Sequence, residues 1–94
     1  MLTVYSKNNC PFCDQAKNFL KNKNINFTSI NIEQDPVARE FVMNAGHRTV
    51  PQIYFDGKLF VEGGWQGLSK MSSEEIVNKL LPQTQHALTN LGTL

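Results

Sequence analysis

Cys10 and Cys13 are the two cysteines of the chain, three positions apart, with Pro11-Phe12 between them. Chance would place two cysteines at this spacing in so short a chain roughly one time in fifty. Such a pair serves either as a redox-active dithiol or as half of a metal site. Zinc needs four ligands, and the histidines, His47 and His86, stand 39 positions apart without the usual close spacing. Two inert buried cysteines would leave a Pro-Phe insert at a helix start unexplained. A secreted domain stapled by disulfides would carry more cysteines, joined across longer loops. The pair therefore reads as dithiol chemistry in a reducing, cytoplasmic compartment.

Chain position separates the two sulfurs. Leu2–Tyr5 reads as a strand and Ser6-Lys7-Asn8-Asn9 as a polar loop. From Pro11 the pattern turns helical, with Cys13, Ala16, Phe19 and Leu20 on one apolar face. Pro11 suits the first helical turn, where a missing N–H costs nothing. Cys10 then lies against the unpaired N–H groups and positive end of that helix, and both favour its thiolate. Lys7 or Lys17 would add to this if either side chain reaches the sulfur. Cys13, one turn further in, is expected to be buried and protonated. Cys10 is thus the expected exposed, attacking thiol and Cys13 the resolving one. A more acidic Cys10 gains thiolate but loses intrinsic nucleophilicity; its larger advantage is as a leaving group from a mixed disulfide.

The remaining elements follow from punctuation and period. Phe27–Ile32 reads as a partly buried strand. Asp35-Pro36 is an N-cap followed by proline, and Val37, Glu40, Phe41 and Ala45 carry a helix to a stop at Gly46. Pro51–Phe55 and Lys58–Val61 flank Asp56-Gly57, a strong hairpin signal. Gly63-Gly64 opens a short helix around Trp65–Met71. Ser72-Ser73-Glu74-Glu75 holds a capping box, followed by Ile76, Val77, Leu80 and Leu81 at helical spacing. The result is one α/β domain with a mostly four-stranded sheet, a core of about residues 2–81, and an extension over 82–94 that is either helical or frayed.

Composition narrows the partners. The 94 residues are 40% hydrophobic and 18% charged, which suits a packed globular domain rather than a disordered one. Nine basic against eight acidic residues leave a net charge of +1, which is no footprint for a polyanion, so no nucleic-acid partner is expected. No apolar run approaches the roughly 18 residues of a membrane span, and no membrane partner is expected. A monomer is the simplest expectation.

Lys7-Asn8-Asn9-Cys10-Pro11-Phe12-Cys13, then Thr49-Val50-Pro51, then Gly63-Gly64, closely resembles a dithiol glutaredoxin of the thioredoxin fold. The resemblance runs from Leu2 to about Leu81, with all three signatures in the family's order. It implies a central four-stranded mixed sheet flanked by helices. It also implies a glutathione-dependent oxidoreductase that reduces protein disulfides and glutathione mixed disulfides, with no tightly bound cofactor and no metal. Val50 would pair its backbone with glutathione, Pro51 would be cis opposite the sulfurs, and Lys7 or Arg48 would meet the glycyl carboxylate. Phe12, Thr49, Gly63, Gly64, Trp65 and Gln66 would complete the glutathione site.

One departure matters. The family usually has an acidic residue within three positions after the paired glycines, where this chain has Trp65-Gln66-Gly67. A neutral acceptor such as Gln66 is worth about 1 kcal/mol less toward an ammonium group, or about fivefold in affinity. Glu62 precedes the glycines, and sequence does not fix its direction. The gap gives weight to glutaredoxin-like electron donors of ribonucleotide reductase, which are reduced by thioredoxin reductase. Ala38–Met43 and the tryptophan at 65 are also similar to that subgroup. A glutathione-ligated iron–sulfur cluster module is the third alternative that the resemblance carries.

Overall fold

The computed structural model describes residues 2–80; Leu81 and the expected 82–94 extension lie outside the described residues. The elements are β1 (Leu2–Ser6), α1 (Pro11–Asn22), β2 (Phe27–Asn31), α2 (Pro36–Asn44), β3 (Gln52–Phe55), β4 (Lys58–Leu59), α3 (Gly64–Ser69) and α4 (Ser73–Leu80). The strands form one mixed sheet in the order β2-β1-β3-β4. β1 runs parallel to β2 and antiparallel to β3, with Val4 opposite Ile53. A parallel β1–β2 pair requires a crossover, and α1 supplies it.

Side chains alternate across the sheet, so β1 and β3 each serve two layers. Leu2, Val4 and Ile53 face a cluster completed by Ala16 and Leu20 of α1, Leu68 of α3 and Ile76 of α4. Each fully buried Leu or Ile contributes about 1.5–3 kcal/mol of transfer free energy, so this layer anchors the helix that carries the cysteines. The opposite layer is aromatic: Phe41 of α2 packs against Tyr5 and Tyr54 with ring centroids 5.5 and 5.2 Å apart.

Local signals end the elements where their chemistry requires. Asp35 caps α2 by accepting from the Ala38 N–H at 3.0 Å. Past its end, the His47 N–H reaches the Val42 carbonyl and the Gly46 N–H the Met43 carbonyl, a Schellman closure. The Ser72–Glu75 box is reciprocal: Glu75 N–H donates to Ser72 Oγ at 3.1 Å and Ser72 N–H to Glu75 Oε1 at 3.2 Å. Asp56 and Gly57 both take positive φ in the two-residue turn between β3 and β4.

Three expectations need correction. The buried face of α2 holds Ala38 and Val42, while Val37 is 78% exposed. Phe41 leans sideways onto the two tyrosines, which rotates the packed face by one residue. β4 ends at Leu59 rather than Val61: Phe60 N–H still donates to the Ile53 carbonyl at 2.9 Å, and the chain then turns toward the left-handed Gly63. Val77, expected on the packed side of the last helix, is exposed, whereas Ile76 is fully buried.

Candidate active site

Cys10 is the N-cap of α1, in extended conformation, with Pro11 immediately inside the helix. Its sulfur accepts from the Cys13 N–H at 3.2 Å. An N–H aimed at sulfur stabilises negative charge there, and the helix dipole acts in the same sense. The two cysteines form a disulfide, and their Cα atoms lie 5.2 Å apart.

The loop that delivers Cys10 is tied down from the side. Asn8 N–H donates to Glu33 Oε1 at 2.8 Å, and Asn31 Nδ2 donates to Asn8 Oδ1 at 2.8 Å. Asn9, directly before the cysteine, sits at φ 54, a left-handed conformation that asparagine tolerates better than most residues. Hydrogen bonds to the end of β2 thus fix the approach of the chain to α1.

Cys10 was expected to be exposed, and here the structure differs. Cys10 is only 7% exposed and Cys13 fully buried. Both cysteines are buried, and Cys10 is covered by a segment 40 positions away. The Val50 carbonyl oxygen lies 3.8 Å from its sulfur. The Val50-Pro51 peptide is cis and Pro51 is buried. The buried Gln52 side chain braces this segment by donating from Nε2 to the Thr49 carbonyl at 2.9 Å. Among the described residues, no backbone acceptor pairs with the Val50 N–H.

An open groove of about 610 Å³ runs along this segment. Phe12, Thr49, Val50, Pro51, Gly63, Gly64, Trp65 and Gln66, all anticipated from sequence, line it together. Lys7 and Arg48 do not. They line a second hollow on the other side of Thr49-Val50, which both cavities share. Sequence reasoning missed His47, Gln52 and Leu59 in the groove wall, and Arg39 in the second hollow. His47 Nε2 lies 2.7 Å from the Tyr54 hydroxyl, which ties the wall to the aromatic layer.

Glu62 also lines the groove. Gly67 of α3 packs so closely on the Glu62 backbone that a Cβ there would collide with its carbonyl oxygen. The groove therefore has a carboxylate before the paired glycines, although none follows them. Trp65, half-buried, meets Phe19 of α1 edge-on at 5.4 Å, which links the groove to the cysteine helix.

The glutaredoxin family profile matches residues 2–60, the span that holds the dithiol and the Val50-Pro51 segment. The chain belongs to the glutaredoxin family. Members are thiol–disulfide oxidoreductases, and the fold is the thioredoxin-like one. A glutaredoxin-like 8.6 kDa protein of the rubredoxin operon of Clostridium pasteurianum is 32% identical over 80 residues, covering 84% of this chain and all of that one. The glutaredoxin-like protein NrdH of Lactococcus lactis is 43% identical over 60 residues, 64% of this chain and 83% of its own. The buckwheat glutaredoxin–glutathione complex superposes with a TM-score of 0.58 at 26% identity, over 86% of this chain and 73% of that chain.

Proposed function

We propose that this glutaredoxin reduces protein disulfides and glutathione mixed disulfides through Cys10 and Cys13, with glutathione as the reductant. The observation that carries the reading is Cys10 capping α1, its sulfur held by the Cys13 N–H beside a backbone segment that walls an open groove. In the reduced protein the Cys10 thiolate attacks one sulfur of the substrate disulfide, and the other sulfur departs as a thiolate. Cys13 then attacks the Cys10 sulfur, loses its proton to solvent, and frees the remaining substrate thiol. Two glutathione molecules restore the dithiol and leave as glutathione disulfide.

Glutathione would lie across Val50. Its backbone would use the Val50 N–H as one strand uses another. Its glycyl carboxylate would enter the hollow of Lys7 and Arg48, and its γ-glutamyl end would run toward Gly63 and Gly64. The ammonium at that end would meet Glu62 rather than a residue after the glycines.

A second reading has its own support. The NrdH relative and the missing carboxylate after Gly64 favour an electron donor to ribonucleotide reductase, itself reduced by thioredoxin reductase. Coupled NADPH oxidation on the oxidised protein separates the two. Turnover with glutathione and glutathione reductase alone supports the first reading; turnover with thioredoxin reductase alone replaces it with the second. Under the first reading, Cys10→Ser is inactive and Cys13→Ser retains deglutathionylation. An active Cys10→Ser protein overturns the assignment of the attacking thiol.

A further inference from the structure

We propose that the hollow beside Val50 docks an acidic segment of the disulfide-bearing protein partner, with Arg39 as a specificity residue; the inference rests on the oxidoreductase reading above. Lys7 from the loop after β1, Arg39 from α2 and Arg48 from the turn before Val50 line one concavity of about 610 Å³. Its lining includes no carboxylate. Among the described residues none of these three cations forms an ion pair: Glu33 is engaged by the Asn8 N–H, and Asp35 is turned to capping α2.

An anionic occupant of a cavity lined by three cations and no carboxylate gains from all three at once. One glutathione carboxylate needs only one of them, and Arg39 stands on the helix wall, away from the segment that carries Arg48. The matching occupant is a stretch of chain with several Asp or Glu residues. Val42 and Met43 add apolar surface to the same cavity, and Met43 is 59% exposed, a flexible anchor for an apolar neighbour of those acids. Val50 belongs to this lining and its carbonyl lies 3.8 Å from Cys10 Sγ. A partner segment seated here therefore holds its own disulfide next to the reacting sulfur.

The test is single-turnover reduction of two synthetic peptides by the pre-reduced full-length protein. Each peptide carries one internal disulfide, flanked by three Asp in one and three Asn in the other. The peptide disulfide becomes a dithiol as Cys10 and Cys13 become a disulfide, so no external reductant enters the measurement. The acidic peptide is expected to react about tenfold faster in dilute buffer, and the advantage to collapse near ~0.5 M salt. Arg39→Gln is expected to slow the acidic peptide about threefold and leave the neutral one unchanged. Equal rates for the two peptides, or an Arg39→Gln protein that keeps the full acidic preference, would overturn the docking inference while leaving the oxidoreductase reading intact. If neither peptide is reduced, that reading falls and the docking inference with it.

Discussion

Replacing Gly64 with alanine tests whether the contact between α3 and the Pro51 segment holds the groove in shape. Gly64 takes φ +55, and a Cβ placed there would lie 2.5 Å from the Pro51 carbonyl oxygen, closer than side chains approach backbone. Gly57 provides the control: it takes φ +81 in the β3–β4 turn, and a Cβ there meets nothing within 4 Å. Each substitution incurs the left-handed strain of about 1–2 kcal/mol, offset by about 0.4–1 kcal/mol of lost freedom in the unfolded chain. Gly57→Ala should therefore cost about 1 kcal/mol. Gly64→Ala adds an overlap that a flexible side chain cannot relieve, because the obstructing atom belongs to the backbone. Forced displacements of this kind cost about 1–3 kcal/mol, for a sum near 3 kcal/mol. In a domain this small, the melting temperature should fall by about 5 °C for Gly57→Ala and about 15 °C for Gly64→Ala. Thermal melts of the oxidised proteins, followed by far-ultraviolet dichroism, give both numbers. Disulfide reduction measured well below both transitions should be slowed only in Gly64→Ala, since only that substitution pushes on the segment beside Cys10. Equal losses of stability in the two variants would refute the steric argument.

Two other substitutions test the electrostatics. Glu62→Gln should raise the KM for glutathione about fivefold with kcat unchanged, the difference between a charged and a neutral acceptor for an ammonium group; an unchanged KM would remove Glu62 from the binding site. Tyr5 is held protonated above the ordinary phenol range, first by burial and then by the neighbouring Tyr54 and Asp35. The unfolded chain releases that proton nearer 10.0, so Tyr5's contribution is complete below that pH and is lost as pH rises through the folded-state value. Urea midpoints between pH 8 and 11 should therefore fall less steeply for Tyr5→Phe than for the parent, and identical slopes would assign the alkaline loss to other groups.

Much of the architecture was legible because its signals are local. Asp56-Gly57 specifies a turn whose two central residues both need positive φ, and a two-residue loop leaves adjacent strands no choice but to pair. Asp35-Pro36 and Ser72-x-x-Glu75 carry their own hydrogen-bond partners within four positions, so no distant contact decides them. The phase of α2 was not legible in the same way. Val37, Ala38, Phe41, Val42 and Met43 are apolar on more than one side of a nine-residue helix, so periodicity alone cannot choose the buried face. The choice is made by Tyr5 and Tyr54, whose rings meet Phe41 from two different strands, tilted at Tyr5 and edge-on at Tyr54.

The candidate site divides along the same line. The types and order of its residues could be read from the chain, but burial and direction could not, because each is imposed by a packing contact that residue type and spacing do not announce. Nothing near Cys10 indicates that its sulfur is covered; the cover is Val50, positioned by the Gln52 amide that grips Thr49. Nothing in Val61-Glu62-Gly63 aims the carboxylate; its backbone is pinned by Gly67, where any side chain would collide with the Glu62 carbonyl. Lys7 and Arg48, 41 positions apart, share a hollow only because the β1 loop and the turn before Val50 end on the same side of the sheet. The Thr49-Val50 segment is thus a ridge between a cationic hollow and a groove with one carboxylate. Cys10 adjoins that ridge through the Val50 carbonyl, 3.8 Å from its sulfur. Opposite charges on the two sides of one ridge are an arrangement that no single one of the three sequence signatures expresses.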